Sequence, residues 1–147
     1  MVMIKHFNYP VKLNKQKEGG YLVTFPDLPE AITQGEDIEN ALIEAADCLE
    51  EAIANRIETD LDIPKPSHPK RNQHVVSLST TMVAKAALYL IVREKNLSNV
   101  VLAKKLDCDE KEIRRLLDPY YSSKLPRIEH MLHLLGHRLN VGVTNLS

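Results

Sequence analysis

GYLVTFPDLPEAITQG, residues 20–35, decides the fold of the first half of this chain. Within it, Tyr21–Phe25 places Tyr21, Val23 and Phe25 on one face at a period of two, the mark of a half-buried strand. Gly19-Gly20 is a hairpin turn signal, so a strand should precede it. Tyr9–Asn14 fits, with Val11 and Leu13 alternating with Lys12 and Asn14, and with Pro10 suited to a sheet edge. Pro26-Asp27-Leu28-Pro29 breaks the second strand, Ala31–Gln34 forms a third, and Gly35 ends it. Asp37 then stands at an N-cap, where its carboxylate can accept free amide hydrogens of a first helical turn. The helix runs from about Ile38 to Ile57. Ile38, Leu42, Ala45, Leu49, Ala52 and Ile53 form the stripe that covers the sheet, and Glu39, Glu44, Asp47, Glu50 and Glu51 lie off it.

Ile63–Gln73 carries Pro64, Pro66 and Pro69 and reads as a loop. Composition alone puts a domain boundary there. His74–Leu78, however, is a short strand-like run that an all-helical domain would orphan, so it belongs to the preceding sheet and the boundary moves to Ser79. The chain thus divides into domains 1–79 and 80–147. Thr80 or Thr81 caps the next helix, whose apolar positions are Val83, Ala86, Ala87, Leu90 and Ile91 and which ends near Lys95-Asn96.

Charge separates the same halves. The chain of 147 residues has a formal charge of −1, but residues 1–78 hold 8 Lys/Arg against 13 Asp/Glu, a net of −5. Residues 79–147 hold 11 against 7, a net of +4. Such a split suggests one domain that faces nucleic acid and another that faces something else. Hydrophobic content of 44% and charged content of 27% are those of an ordinary globular protein. No apolar run approaches a membrane span and MVMIKHFNYP lacks a signal-peptide core, so no membrane contact and a cytoplasmic location are expected. Cys48 and Cys108 lie in different halves, match no metal spacing and read as reduced thiols.

The basic half contains a helix, tight turn, helix pattern. Ser98 can cap a helix bearing Val101, Leu102, Ala103 and Leu106, with Ala103 small enough for two helices to cross closely. Asp107-Cys108 makes the turn, Asp107 standing where glycine is usual but tolerating the left-handed conformation. Asp109 caps the second helix, with Glu112 completing a capping-box pattern, and Ile113, Leu116 and Leu117 are its buried side. The exposed start of that helix presents Asp109, Glu110, Lys111 and Arg114, with Arg115 one step round. Arg and Lys can read guanine edges and Glu can accept from cytosine. Asn99 and the loop Ser122, Ser123, Lys124 are placed for phosphate, which sets register rather than sequence preference. Ile128–Leu139, with Ile128, Leu132, Leu135 and Leu139 aligned, adds a closing helix and the plan of a Cro-like helix-turn-helix domain.

His130, His133 and His137 share one face of that closing helix, but Glu129 is the one acid beside them, so they read as a solvent face and no metal or cofactor is expected. The segment 140–144, NVGVT, is either a short strand pairing two C-terminal domains or a tail. Two-metal nucleases need clustered carboxylates on neighbouring strands, and none of the four expected strands contains Asp or Glu. There is no phosphate-cradling glycine motif and no recognisable nucleophile–base spacing. An enzyme is not expected.

Residues 20–35, followed by an acidic N-cap and an alanine-rich amphipathic helix, resemble the HicB antitoxin family, although many members have glycine where Glu30 stands. Ile63–Ser67, IPKPS, the short strand after it and a C-terminal helix-turn-helix are also similar to that family. The resemblance implies an α+β chain: a partial RNase H-like βββαβ domain that binds and blocks a small HicA toxin, then an all-α DNA-binding domain. Such toxins resemble double-stranded-RNA-binding domains turned into mRNA-cleaving ribonucleases. The implied function is that of a type II antitoxin that autorepresses its operon by binding operator DNA, as a homodimer or higher oligomer joined through the C-terminal domain. Tyr21, Phe25, Asp27 and Leu28 are candidates for the toxin surface, though Tyr21 and Phe25 suit a core equally. The alternative is a ligand-responsive helix-turn-helix regulator, which requires an enclosed apolar pocket in residues 1–79.

Overall fold

The computed structural model describes Ile4 and residues 6–145. The chain divides into two compact units, Met1–Ser79 and Thr80–Ser147.

The first unit is an antiparallel sheet covered by one helix. Its strands are β1 (Asn8–Lys15), β2 (Tyr21–Phe25), β3 (Leu28–Gly35) and β4 (His74–Ser77), and helix α1 (Ile38–Glu58) lies between β3 and β4 in sequence. The sheet order is β3-β2-β1-β4. Tyr9, Val11 and Val23 point inward and are fully or almost fully buried with Phe25, Leu28 and Ala31 against Ala41, Ala45, Leu49, Ile53 and Ile57 of α1.

Several features of this unit differ from expectation. Leu28 and Pro29 do not break the chain: Pro26-Asp27 alone makes the turn, Phe25 faces Leu28 across it, and β3 starts at Leu28. Pro29 is tolerated because β3 is an edge strand, with no ladder on its far side for the missing N–H to serve. Pro10, by contrast, lies in an internal strand. There β1 divides its pairing, Asn8–Val11 with β4 and Lys12–Lys15 with β2, so Pro10 meets a partner on one side. Finally, Ile38 is 45% exposed, and Ala41 takes its place in the stripe. There the backbone of Gly35 lies against the first turn of α1, so close that a Cβ added at Gly35 would come within 2.8 Å of the Ala41 Cβ.

Asp37 caps α1 as expected, its Oδ1 accepting the Asn40 amide at 2.7 Å. The stretch between α1 and β4 is irregular yet fastened at several points. The Tyr9 hydroxyl donates to the Pro64 carbonyl at 2.6 Å, and burial raises its pKa far above the ordinary phenol value. The Ser67 amide and hydroxyl donate to Asp27 at 3.0 and 3.1 Å. Arg56 donates to the Asp62 carbonyl at 2.8 Å and grips Glu30 with two bonds of 2.6 and 2.9 Å. Glu30 is thus an acid within a strand, correcting the expectation of acid-free strands, and it is already neutralised.

That pair has a pH signature. The Arg56 guanidinium holds the Glu30 carboxyl below its usual range. A depressed carboxylate contributes stability above its unfolded pKa, about 4.3, and loses it as pH falls through the folded value. Arg56→Met should therefore lower the first unit's stability at neutral pH and flatten its decline below about pH 4. Urea melts of both proteins over a pH series check this.

The second unit is helical: α2 (Thr80–Lys95), α3 (Asn99–Leu106), α4 (Glu110–Leu117) and α5 (Leu125–Leu134). Its core joins Leu88 and Ile91 of α2, Leu102 of α3, Ile113 of α4, and Ile128, Met131 and Leu132 of α5. Helix α2 begins at Thr80, so Thr80 and Thr81 are both inside it. Its buried face is Met82, Ala84, Lys85, Ala86, Leu88 and Ile91, rotated from the expected one, with Val83, Ala87 and Leu90 partly exposed. Helix α5 ends early. Gly136 at φ +84 closes it, with the His137 amide bonded to the Leu132 carbonyl at 2.9 Å, so Leu139 lies beyond the helix. Residues 140–144 form no strand, and Val141 and Val143 are 67% and 97% exposed. Among the described residues no helix is long and apolar enough to cross a membrane.

Candidate functional site

The α3–α4 pair is built at its turn. Ser98 caps α3, accepting the Val101 amide at 3.2 Å. Asp107 takes the left-handed conformation (φ 54°, ψ 55°) after α3, at the cost that aspartate bears more easily than most residues. Asp109 caps α4, its Oδ1 accepting the Glu112 amide at 2.9 Å. The reciprocal half of the expected capping box is replaced, because the Glu112 carboxylate takes the Arg127 guanidinium of α5 at 2.6 Å. Arg127 holds the Glu112 carboxyl below its usual range.

With Ile113 and Leu116 buried, the helix period turns Glu110, Lys111 and Arg114 outward, and Arg115 beside them; all four are exposed. Lys111, Arg115, Lys124 and Arg127 line one cleft with Tyr121, Ser122 and Ser123. Four cations around one depression, one of them tied to Glu112, make a surface suited to a polyanion. The sequence missed Arg127, whose place in this cleft depends on where α5 starts.

The remaining expected contacts are uneven. Asn99 is half-buried at the start of α3, while Ser122 and Lys124 are exposed. Ser123 is turned inward: its hydroxyl donates to the Arg115 carbonyl at 3.3 Å and its amide to the Tyr121 carbonyl at 2.9 Å. Both its donors are spent within the unit, so it shapes the loop instead of donating to phosphate. Asp109 likewise spends a carboxylate oxygen on its cap.

Sequence reasoning also missed Lys85. It is 3% exposed on α2, and its ammonium donates to the carbonyls of Arg115, Asp118 and Tyr121 at 3.2, 2.5 and 2.6 Å. Burial pulls its pKa down, against the opposing charge of Asp118. The rings and cations continue this cluster, with Arg115 5.4 Å and Lys85 5.9 Å from the centre of the Tyr121 ring. A lone lysine on an alanine-rich face gives no sequence signal for such a role.

In the first unit, Phe25 and Leu28 are 3% and 0% exposed, which removes them from any partner surface. They belong to the core because they flank the Pro26-Asp27 turn on its inner side. Asp27 anchors Ser67, and Tyr21 is half-buried at the start of β2. The cavity near that strand is lined by Tyr21 and three glycines together with polar residues such as Glu18, Gln34 and Glu44, a mixed, open hollow unlike the enclosed apolar pocket of a ligand sensor. His130 and His133 lie on α5 but His137 lies past its end, and no metal-binding group of three His, Cys, Asp or Glu occurs among the described residues.

Residues 8–87 match a family described as HicB_like antitoxin of bacterial toxin-antitoxin system. Antitoxin HicB 1 of Photorhabdus laumondii is 32% identical over 96% of this chain and 90% of its own length. Antitoxin HicB 2 of the same organism is 34% identical over 95% and 98%. Antitoxin HicB of Escherichia coli is 31% identical over 90% and 96%. A solved chain of a toxin–antitoxin complex from Streptococcus pneumoniae is 34% identical, covering 42% of this chain and 44% of that one at a TM-score of 0.39, too partial to bear on the fold. With more than half of its length in the family match and full-length relatives above 30% identity, this chain belongs to the HicB-like antitoxin family.

Proposed function

We propose that this antitoxin acts through two separate surfaces. Residues 1–79, a partial RNase H-like domain, bind and cover a HicA-like, mRNA-cleaving toxin. Residues 80–147, a Cro-like helix-turn-helix domain, bind operator DNA and repress the antitoxin's own operon. The observation that carries this reading is the exposed basic set of α4, Lys111 in its first turn with Arg114 and Arg115 in its last, on a helix that follows a capped, left-handed turn. On the other surface, the exposed Glu39, Asp47, Glu51 and Glu58 of α1 suit a basic, RNA-binding partner and would speed its encounter. Dimerisation through the C-terminal domain supplies the second half-site that a small reading helix needs. The alternating exposed Val141 and Val143 suit a strand that forms between two copies.

The test is co-expression with the neighbouring reading frame. A short, basic, histidine-containing product should co-purify with the full chain and with residues 1–79, and its growth arrest should be relieved by both. Relief by residues 80–147 alone would overturn the assignment.

A further inference from the structure

We propose that Lys85 is a positioning residue of the DNA surface, a role that rests on the DNA-binding reading above. Its buried ammonium has three N–H donors, and three main-chain carbonyls receive them: Arg115 in the last turn of α4, Asp118 at its C-cap, and Tyr121 in the turn beyond. A cation at a helix C-terminus complements the dipole and satisfies carbonyls the helix leaves open. The brace extends past those atoms. The Arg115 and Tyr121 carbonyls also accept from Ser123, so Lys85 and the 122–124 loop share acceptors. The Tyr121 ring sits near Arg115 as well as Lys85, which restrains the Arg115 head group. Lys85 thereby fixes the α4 cations relative to the loop bearing Ser122 and Lys124, without reaching the surface itself.

Stability alone does not call for a lysine here. Burying an ammonium costs desolvation, and a packed apolar side chain of similar size often serves a core equally well. What an apolar side chain cannot supply is three directed donors to one connection. Lys95 provides an internal comparison. It lies on the same helix and donates to the Leu135 carbonyl at the end of α5, at 3.0 Å, with no hydrogen bond to the α4–α5 connection.

The experiment titrates full-length protein onto a duplex from the region upstream of its own gene, by fluorescence anisotropy over a salt series. Lys85→Met should bind about tenfold more weakly at a fixed salt concentration, with a log–log salt slope shallower by about 1, as one loop phosphate contact is lost although Lys85 touches no phosphate. Lys95→Met should keep the wild-type slope. If Lys85→Met gives no cooperative melt, Lys85→Gln, which retains two donors, replaces it. A folded Lys85 variant with wild-type affinity and slope, or with a slope change that Lys95→Met shares, overturns the proposal. Loss of folding in both Lys85 variants also overturns it, by making Lys85 a residue of the fold. Failure of the wild type to bind the duplex removes the DNA-binding reading itself, a result distinct from the others.

Discussion

Gly35→Ala is expected to unfold the first unit at ordinary temperature. A Cβ at this position would lie 2.4 Å from both Cα and N of Ala41 and 2.8 Å from its Cβ. Those neighbours are backbone and first-turn atoms of α1, not the tip of a side chain that could swing away. Relief requires α1 to lift from β3, the strand against which it packs most extensively; overpacking typically costs about 1–3 kcal/mol and occasionally more, and a clash with backbone stands at the high end. Small units are only marginally stable, so a loss of that size takes a large share of what is available. Gly142→Ala is the control: its added Cβ meets nothing within 4 Å. Urea denaturation followed by circular dichroism should show an early transition lost in Gly35→Ala and kept in Gly142→Ala. Under the two-surface reading, the variant should lose toxin binding and keep DNA binding. A Gly35→Ala protein within about 1 kcal/mol of wild type would show that α1 can shift where the structure gives it no room.

The sequence makes one of the two roles of Gly35 visible. It is legible as the end of a strand, which it is, but its close approach to α1 is a tertiary fact that no local pattern carries. The same limit explains the other differences. Alternation located β1 and β2, but Pro29 concealed the true start of β3, because proline is excluded from a strand only where a neighbouring strand would pair with its N–H. Whether a strand is at the edge depends on sheet order. Ile38 fitted the α1 stripe by period, yet the inner line begins at Ala41, where the helix first meets the sheet.

In the second unit the local signals were stronger. Ser98 and Asp109 are caps, and their side chains make the amide bonds that cap chemistry requires. Asp107 adopts the left-handed state that its place before Cys108 demanded. The outward set Glu110, Lys111 and Arg114 follows from the helix period once Ile113 and Leu116 are taken as buried. The site lost accuracy where it depended on neighbours from other helices. Lys85 reaches it from α2 and Arg127 from α5, while Ser123 is drawn inward by carbonyls that sequence cannot place. Gly136 ended α5 before the third histidine, although the apolar spacing continued to Leu139.

Replacing both Lys111 and Arg114 with alanine should cost operator binding about a hundredfold, since each well-placed contact to a base edge contributes about 1–3 kcal/mol. Both side chains are exposed and the buried face of α4 is untouched, so the melting transition should stay near the wild-type value. Toxin neutralisation should also persist, because residues 1–79 are unchanged. Lys124→Ala offers the contrast. Lost phosphate contact weakens binding uniformly across sequences and lowers the salt slope by about 1, whereas lost base contact at Arg114 relaxes preference at one position. Competition titrations against duplexes with single base changes separate the two. If Arg114→Ala leaves sequence preference intact and alters the salt slope alone, Arg114 is a phosphate contact and α4 does not read bases in the assigned orientation. If the double variant loses toxin neutralisation along with DNA binding, the two surfaces are not independent, and the division at Ser79 fails as a division of function.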